Sequence, residues 1–404
     1  MNILVFNCGS SSLNYKIFSP GTAGDLVVVC QGKAHRVGVK GSQPSFIEHH
    51  LQEETFKVTL PIPDRHTAAN LVLDFIADRH LVVDGIGHRF VHGGSIFQES
   101  VRLDEETQAA LQACLPLAPI HNPNSMSVIE VCLKRMSDLP QYLTFDTAFH
   151  ASLPESAYRY ALPEQLCKKM GIRKYGFHGL SYQFVTTQAA WYLEKPLEQL
   201  NLVACHLGTG GSSAVAIREG KSIDTSMGFS PLAGLMMSTR TGDLDPLIPI
   251  FLMEDLRISA KEITTVFNKK SGLLGVSGLS SDIRDLIHAA QENEAASQAV
   301  ELYTYRLKKM IAAYVLLLGK VDGLIFTDDV GVQNPLVRSR ACAGMSWCGI
   351  TLDEVANLEA PWDQIAEISP PGAPVRVLSI PTDEERVIGL EGYRLLEEVS
   401  DVNH

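Results

Sequence analysis

The sequence predicts an α/β protein built from one unit used twice, and three observations carry that expectation. At the N-terminus the apolar run Ile3-Leu4-Val5-Phe6 gives way to Asn7-Cys8-Gly9-Ser10-Ser11-Ser12. About 200 residues later Leu202-Val203-Ala204-Cys205 gives way to Gly208-Thr209-Gly210-Gly211-Ser212-Ser213. After each break come strands first and interleaved helices later, the pattern of a duplicated α/β unit. A chain of 404 residues is also too long for one compact core, so two domains of roughly 150–200 residues are expected.

In chain order, the short β-rich runs Ile3–Phe6, Tyr15–Phe18, Leu26–Cys30 and Phe56–Leu60 open the first unit. A helix over Thr67–His80 follows, then a strand over Val82–Ile86 that enters Gly87-His88-Arg89-Phe90-Val91-His92-Gly93-Gly94. Glu105–Cys114 has the amphipathic period of a helix, and the prolines of Pro116-Leu117-Ala118-Pro119-Ile120-His121-Asn122-Pro123 end it. A helix over Ser125–Met136 precedes the strand Tyr142–Phe145, which delivers Asp146-Thr147-Ala148-Phe149-His150. From 151 the pattern restarts, with strands at Leu202–Cys205 and Ser213–Arg218, a helix-rich insert over 246–320, and the strand Leu324–Thr327. The terminal segment, the strand Val375–Ile380 followed by a helix reaching Leu396, has room to pack back on the first unit. The expected partition is 1–150 plus 384–404 for the N-terminal lobe and 151–383 for the C-terminal lobe.

Hydrophobic residues make up 45% of the chain and charged residues 20%, the balance of an ordinary soluble globular protein. The longest apolar stretch, near Met310–Gly319, falls short of the ~20 residues of a membrane span. No basic-then-apolar leader precedes the first strand. Eight cysteines without a CxxC pair or a zinc-like His-Cys spacing read as buried thiols of a cytoplasmic, reducing compartment. A net charge of −12 argues against a nucleic-acid partner. Small anionic substrates then require positive charge gathered locally, which directs attention to arginines beside glycine-rich turns.

Turns of glycines and hydroxyls gather backbone N–H groups at one point, as a phosphate requires. Neither GxxxxGK[ST] nor a helix-opening GxGxxG is present, so P-loop and Rossmann readings lack support. Each turn alone is compatible with a structural role; together, each directly after an apolar strand, they favour phosphate. Arg89 and Arg240 lie in glycine-bearing loops, where a guanidinium offers bidentate geometry to carboxylate or phosphoryl oxygens. Arg284, in Ser280-Ser281-Asp282-Ile283-Arg284-Asp285, reads equally as a ligand contact or as an ion-paired residue at a helix start. Asp146 could cap the next helix, hold Mg²⁺, or position a nucleophile at the carboxyl end of a sheet. Glu384 or Glu385 could serve a magnesium ion through water. His121 and His178, in Pro- and Gly-bounded loops, would stabilise transferring charge if they partner the arginines.

Eight blocks in chain order resemble the acetate kinase family. They are NCGSSSL at 7–13, GHRFVHGG at 87–94, PLAPIHNP at 116–123, FDTAFH at 145–150, KYGFHGLSY at 174–182, HLGTGGSS at 206–213, the run 220–246, and NKKSGLLGVSGLSSDIRD at 268–285. With PTDEE near the C-terminus, the resemblance spans essentially the whole chain. It implies the acetate and sugar kinase/Hsp70/actin (ribonuclease H-like) superfamily fold, two βββαβαβα-type lobes with a cleft between them, as a homodimer. It also implies reversible Mg²⁺-dependent (or Mn²⁺-dependent) phosphoryl transfer to the carboxylate of acetate, giving acetyl phosphate. Position by position, Asn7 and Glu384 would organise the metal, and Asp146 would orient acetate or coordinate through water. Arg89 and Arg240 would grip carboxylate and phosphoryl, and His178 would contact the equatorial oxygens with His121 nearby. Val91, Ile120, Phe177 and Pro231 would form the methyl pocket. Ser10 and Ser12 belong to the first phosphate turn. The donor side would comprise Asn14, His206, Gly208, Thr209, Gly210, Asp282, Arg284, Asp328, Asp329 and Gly331. Such chemistry asks a protein mainly for positioning and for positive charge around three oxygens.

The departures from the family cluster on that donor side. Asn14 stands where the family usually has lysine, and Thr209 where it has asparagine. The adenosine-contacting TxGIGEN reads Thr327-Asp328-Asp329-Val330-Gly331-Val332-Gln333, with Asp329 in place of a glycine and Asp328 as a second carboxylate. A side chain there closes space, and an anion facing ATP is unfavourable by about 1 kcal/mol or more. The sequence therefore resembles most the branch of the family that uses pyrophosphate and phosphate. The alternative is an ATP/ADP enzyme in which Asp328 or Asp329 accepts from ribose hydroxyls. Propionate is expected as a slow substrate, because one methylene is worth only ~1–3 kcal/mol. A non-catalytic sensor of acetyl phosphate would have lost one of Asn7, Arg89, Asp146, His178, Arg240 and Glu384, and all are present.

Overall fold

The computed structural model describes residues 1–9, 11–39 and 43–397. The chain divides into two compact units, Met1–Phe149 with the segment from Asp383, and His150–Thr382, each breakpoint one residue before that of the sequence partition.

The first unit contains β1 (Ile3–Cys8), β2 (Ser12–Pro20), β3 (Leu26–His35), β4 (Phe46–Leu51), β5 (Glu54–Thr59), β6 (Gly85–Phe90), β7 (Val101–Arg102) and β8 (Gln141–Phe145). Its helices are α1 (Arg65–Asp78), α2 (Glu105–Cys114), α3 (Asn122–Arg135) and α15 (Glu384–Glu397), the last helix of the chain. The strands form one sheet in the order β5-β4-β3-β2-β1-β6-β8-β7. β1 is buried throughout, as expected of a strand covered on both faces. β2 alternates, burying Leu13, Tyr15 and Ile17 and turning Ser12, Asn14 and Lys16 to the other face. α1 starts on the side chain of Asp64, which accepts from the Thr67 N–H, and buries Ala68, Val72 and Ile76. With α3 it covers one face of the sheet, while α15 packs against β1, β6 and β8.

The second unit contains β9 (Asn201–Gly208), β10 (Gly211–Arg218), β11 (Lys221–Thr225), β12 (Gly323–Thr327), β13 (Ala366–Glu367) and β14 (Arg376–Ser379), in the order β11-β10-β9-β12-β14-β13. Its helices are α4 (Glu155–Tyr158), α5 (Glu164–Met170), α6 (Gly179–Tyr192), α7 (Leu247–Glu254), α8 (Ala260–Lys269), α9 (Gly272–Ser277), α10 (Ile283–Ala289), α11 (Glu294–Leu318), α12 (Asp328–Gln333), α13 (Pro335–Cys342) and α14 (Glu354–Glu359). The long α11 begins on an Asn293 cap and lays Ala299, Tyr303, Leu307 and Ile311 into the core beside Val203, Ala216 and Leu324.

The duplication is explicit in the strand order. β3-β2-β1-β6-β8 and β11-β10-β9-β12-β14 have the same sequence of antiparallel and parallel neighbours. Both glycine-rich turns join the first two antiparallel strands of their unit, so each is a hairpin turn. The strand expected at Val82–Ile86 is found at Gly85–Phe90, paired in parallel with β1 through Ile3↔Gly85 and Phe6↔His88. Two glycines weaken its apolar signal, yet a Cβ at Gly87 would collide with the Tyr142 ring.

Candidate active site

Parallel strands end on the same edge of a sheet, and that edge carries the polar groups of the first unit. Asn7 lies near the end of β1, Arg89 near the end of β6, and Asp146 directly follows β8. The Arg89 guanidinium donates from Nε to Asp146 Oδ1 at 2.8 Å and from Nη2 to Oδ2 at 2.6 Å, a bidentate fork. Its Nη1 donates to Asn7 Oδ1 at 2.8 Å and lies 3.0 Å from Glu384 Oε2. Burial works against the charge on Arg89, but Asp146 and then Glu384 hold its pKa raised. The Asn7 amide donates to Glu384 Oε2 at 3.1 Å and to Glu385 Oε1 at 2.8 Å. Asn14 Nδ2 reaches Glu385 Oε1 at 3.4 Å.

Lys16 and Asp383 were not singled out by the sequence reading. Lys16 Nζ meets Asp383 Oδ1 at 2.8 Å and Glu385 Oε2 at 3.7 Å. The period of two along β2, which puts Lys16 on the same face as Asn14, is the signal that could have found it. The oxygens of Asn7, Glu384 and Glu385 are hard donors of the kind Mg²⁺ or Mn²⁺ takes. No group of three or more His, Cys, Asp or Glu side chains arranged to hold a metal occurs among the described residues. This arrangement fits an ion held by one or two carboxylates, water and substrate oxygens rather than a closed protein cage.

Around this edge, Val91 is buried just beyond β6, whereas Ile120 is 54% exposed. His121 is the residue before α3, a helix start fixed by Asn122, whose side chain donates to the carbonyls of His92 (3.0 Å) and Cys114 (2.7 Å). Ser10 lies outside the described residues. Ser12 closes the first turn, its carbonyl accepting from the Gly9 N–H at 3.0 Å. Beneath it, Arg65 Nη2 donates to the Gly9 carbonyl at 3.3 Å, a support that no local pattern announces.

The second unit gathers a different set around the Gly208–Gly211 turn. His178 precedes α6 in the left-handed conformation (φ 61°), and its Nδ1 lies 2.8 Å from Ser213 Oγ. Ser213 also bonds the Tyr182 hydroxyl, whose pKa burial pushes up. The His206 ring lies 4.0 Å from that of His178, with Nδ1 2.9 Å from Ser181 Oγ and Nε2 3.0 Å from Asp328 Oδ2. The Cβ position of Gly211 is 3.4 Å from Arg240 Nη1 and 3.5 Å from His178 Nε2, so both side chains converge on the turn. Arg240 Nη1 donates to the Pro231 carbonyl at 3.3 Å and toward Met237 Sδ at 3.8 Å. No carboxylate pairs with Arg240 among the described residues, and burial pulls its pKa down. Phe177, buried beside His178, has its carbonyl 3.0 Å from His150 Nε2.

On the donor side, Thr209 donates its N–H to Asp329 Oδ1 at 2.9 Å, and the same oxygen takes the Val330 N–H at 2.8 Å. The space above Gly210 is open. Arg284 folds back onto Asp282 through Nε at 2.9 Å and Nη2 at 2.6 Å, and that carboxylate also accepts the Arg284 N–H. Of the two readings open for Arg284, the structure gives the ion pair at a helix start. Gly331 faces the sheet, its Cβ position 3.4 Å from the Phe326 backbone and 3.7 Å from Leu207. The missing side chain lets α12 pack closely on β9 and β12.

With this geometry in view, the chain matches the Acetokinase family model over residues 2–390. It is 43% identical to an acetate kinase of Caldicellulosiruptor saccharolyticus, covering 98% of this chain and 100% of that protein. The crystal structure of an acetate kinase from Entamoeba histolytica superposes with a TM-score of 0.89 at 40% identity, covering 98% of this chain and 100% of that one. A propionate kinase from Francisella tularensis gives a TM-score of 0.89 at 34% identity, over 98% and 99%.

Proposed function

Because this chain belongs to the acetokinase family and is a phosphotransferase, we propose that it moves a phosphoryl group reversibly between acetate and inorganic phosphate. In the direction acetyl phosphate plus phosphate, a phosphate oxygen attacks phosphorus and forms the P–O–P bond of pyrophosphate. The bond from phosphorus to the acetyl oxygen breaks, and its electron pair leaves with acetate. Charge balances without a proton transfer, so Asp146 acts by holding Arg89 rather than as a base.

The observation that carries this reading is Arg240. A half-buried guanidinium with no carboxylate partner among the described residues, converging with His178 on a hairpin of glycines, is an uncompensated cation suited to an anion. Arg240 and His178 stabilise the oxygens of the transferring phosphoryl, with the Pro231 backbone fixing the guanidinium. In the first unit, Arg89 presents charge to the acetate carboxylate beside Val91. Asn7 and Glu384, aided by Glu385, are the residues that would hold Mg²⁺. The ion, when bound, neutralises phosphoryl charge. The assembly is proposed as a homodimer of this cytoplasmic enzyme, which sedimentation as a dimer rather than a single chain would check.

Phosphate and pyrophosphate are preferred over ADP and ATP because Asp328 and Asp329 both meet the second turn, Asp329 through the Thr209 N–H. One observation favours ATP instead: an open cavity of about 390 Å³ at the end of α12, lined by Val332, Gln333, Pro335, Leu358 and Trp362. The deciding experiment supplies purified enzyme and acetyl phosphate with either phosphate or ADP, and measures acetate with pyrophosphate or ATP. The proposal expects faster turnover with phosphate. Strong turnover with ADP alone would return ATP as donor. Propionate, the substrate named for the Francisella tularensis relative, is expected to react more slowly than acetate.

A further inference from the structure

The two nitrogens of His178 have different surroundings. Nε2 lies 3.5 Å from the Cβ position of Gly211 in the second turn, whereas Nδ1 lies 2.8 Å from Ser213 Oγ. Ser213, on β10, is fully buried, and its Oγ makes a second hydrogen bond with the fully buried Tyr182 hydroxyl. The helix explains how Tyr182 arrives there. It stands four residues after His178, whose carbonyl accepts the Tyr182 N–H at 3.0 Å in the first turn of α6. A long side chain on a helix leans back toward the N-terminus, which brings the hydroxyl to the surroundings of the imidazole. The backbone beside His178 is held separately. A carbonyl only accepts, so His150 Nε2 carries the hydrogen that bonds the Phe177 carbonyl at 3.0 Å, and Nδ1 of that ring accepts from Ser222 Oγ at 2.8 Å. This anchors the chain next to His178, a non-glycine residue at φ 61°.

We infer that Tyr182 and Ser213 are positioning residues that fix the tautomer and ring orientation of His178. The Tyr182 hydroxyl donates to Ser213, Ser213 donates to Nδ1, and Nε2 keeps the hydrogen that His178 presents to a phosphoryl oxygen. The inference rests on reading His178 as a phosphoryl contact. An anion at the Gly211 turn needs an N–H there, since the lone pair of the other neutral tautomer would repel its oxygens. A doubly protonated ring would also supply that hydrogen, but at the cost of a second positive charge beside Arg240, whose Nη1 lies 3.4 Å from the same point. Each hydroxyl has a single hydrogen, so donation by Tyr182 sets the direction of both bonds. Burial pushes the tyrosine pKa well up, which keeps the hydroxyl a donor near neutral pH. No proton leaves its atom in this arrangement, in keeping with a transfer that needs neither acid nor base.

The tautomer can be read directly. Imidazole nitrogen NMR spectra of the isotope-labelled wild type are recorded at about pH 8, above the ordinary histidine pKa, with the His178 signals assigned by their absence in His178→Gln. The expected spectrum has hydrogen on Nε2 and a bare Nδ1. Hydrogen on Nδ1, alone or together with Nε2, would overturn the assignment without any variant having to fold. Ser213→Ala and Tyr182→Phe are then assayed with acetyl phosphate and whichever acceptor, phosphate or ADP, turns over faster in the wild type. A failure of phosphate as acceptor therefore leaves this test intact. The expected result is a kcat per folded site lower by about tenfold or more in Ser213→Ala, with KM for acetyl phosphate within about twofold of wild type. Tyr182→Phe should lose less, and Ser213→Thr, which restores the hydroxyl, should recover most of the loss. A purely structural role would lower the folded fraction and leave kcat per folded site unchanged. Values within about twofold of wild type in both Ser213→Ala and Tyr182→Phe would overturn the proposal.

Discussion

The two units share a strand order and differ in what they place at the ends of those strands. In the first, Arg89 is surrounded by Asp146, Glu384 and Asn7, and Lys16 by Asp383 and Glu385. Acid outnumbers base there, and burial of Arg89 is compensated. In the second, Arg240 is half-buried with a carbonyl and a thioether for company, and His178 stands beside it. The first arrangement suits a divalent cation and a firmly held guanidinium; the second suits an anion. One scaffold used twice thus carries two different electrostatic environments at its strand ends. The difference lies in a few side chains at strand ends rather than in topology.

The largest expected effect separates the two arginines by stability. Arg89→Ala leaves Asp146, which is 1% exposed, as an unpaired buried carboxylate, and should cost about 3–5 kcal/mol in urea unfolding. Arg240→Ala removes a half-buried charge that has no carboxylate partner among the described residues, so its stability should stay within ~1 kcal/mol of wild type or rise. Equal destabilisation by both substitutions would break the comparison.

A smaller effect is expected with pH. Burial lowers the pKa of His88 and of His92, both in the first unit, from the ordinary 6.5 to about 4. The unfolded chain therefore takes up protons below pH 6.5 that the folded one refuses until near pH 4. Stability from this source is complete above pH 6.5 and lost as pH falls toward 4. Between pH 7 and 5 the loss from His88 alone is on the order of 2 kcal/mol. His88→Gln should flatten the slope of unfolding free energy against pH by about that amount; an unchanged slope would remove His88 from the account.

Much of this site could be read from the chain because it sits where strands end. Asn7, Arg89 and Asp146 follow apolar runs directly, and the glycine turns mark the hairpins by composition. Other features depend on contacts distant in sequence. Arg65 supports Gly9 from a helix 56 positions away, and Lys16 meets Asp383 across 367. Neither has a local signature. The packing of Gly331 on the sheet is hidden for a related reason: in so short a helix, periodicity does not say which side meets the sheet. The strand at Gly85–Phe90 was drawn too early because Val82-Val83 is the more apolar dipeptide, whereas pairing with β1 selects the glycines. Arg284 stayed ambiguous because ligand contact and helix-start ion pair call for the same residues, and only the distances to Asp282 decide.

The central claim is that Arg240 is the uncompensated cation that receives the phosphoryl group. It is tested most directly by kcat/KM for acetyl phosphate in Arg240→Ala, with and without added guanidinium chloride. The account predicts a loss on the order of 10³-fold or more, partly restored by guanidinium, with the fold intact. Turnover at the wild-type rate would contradict it.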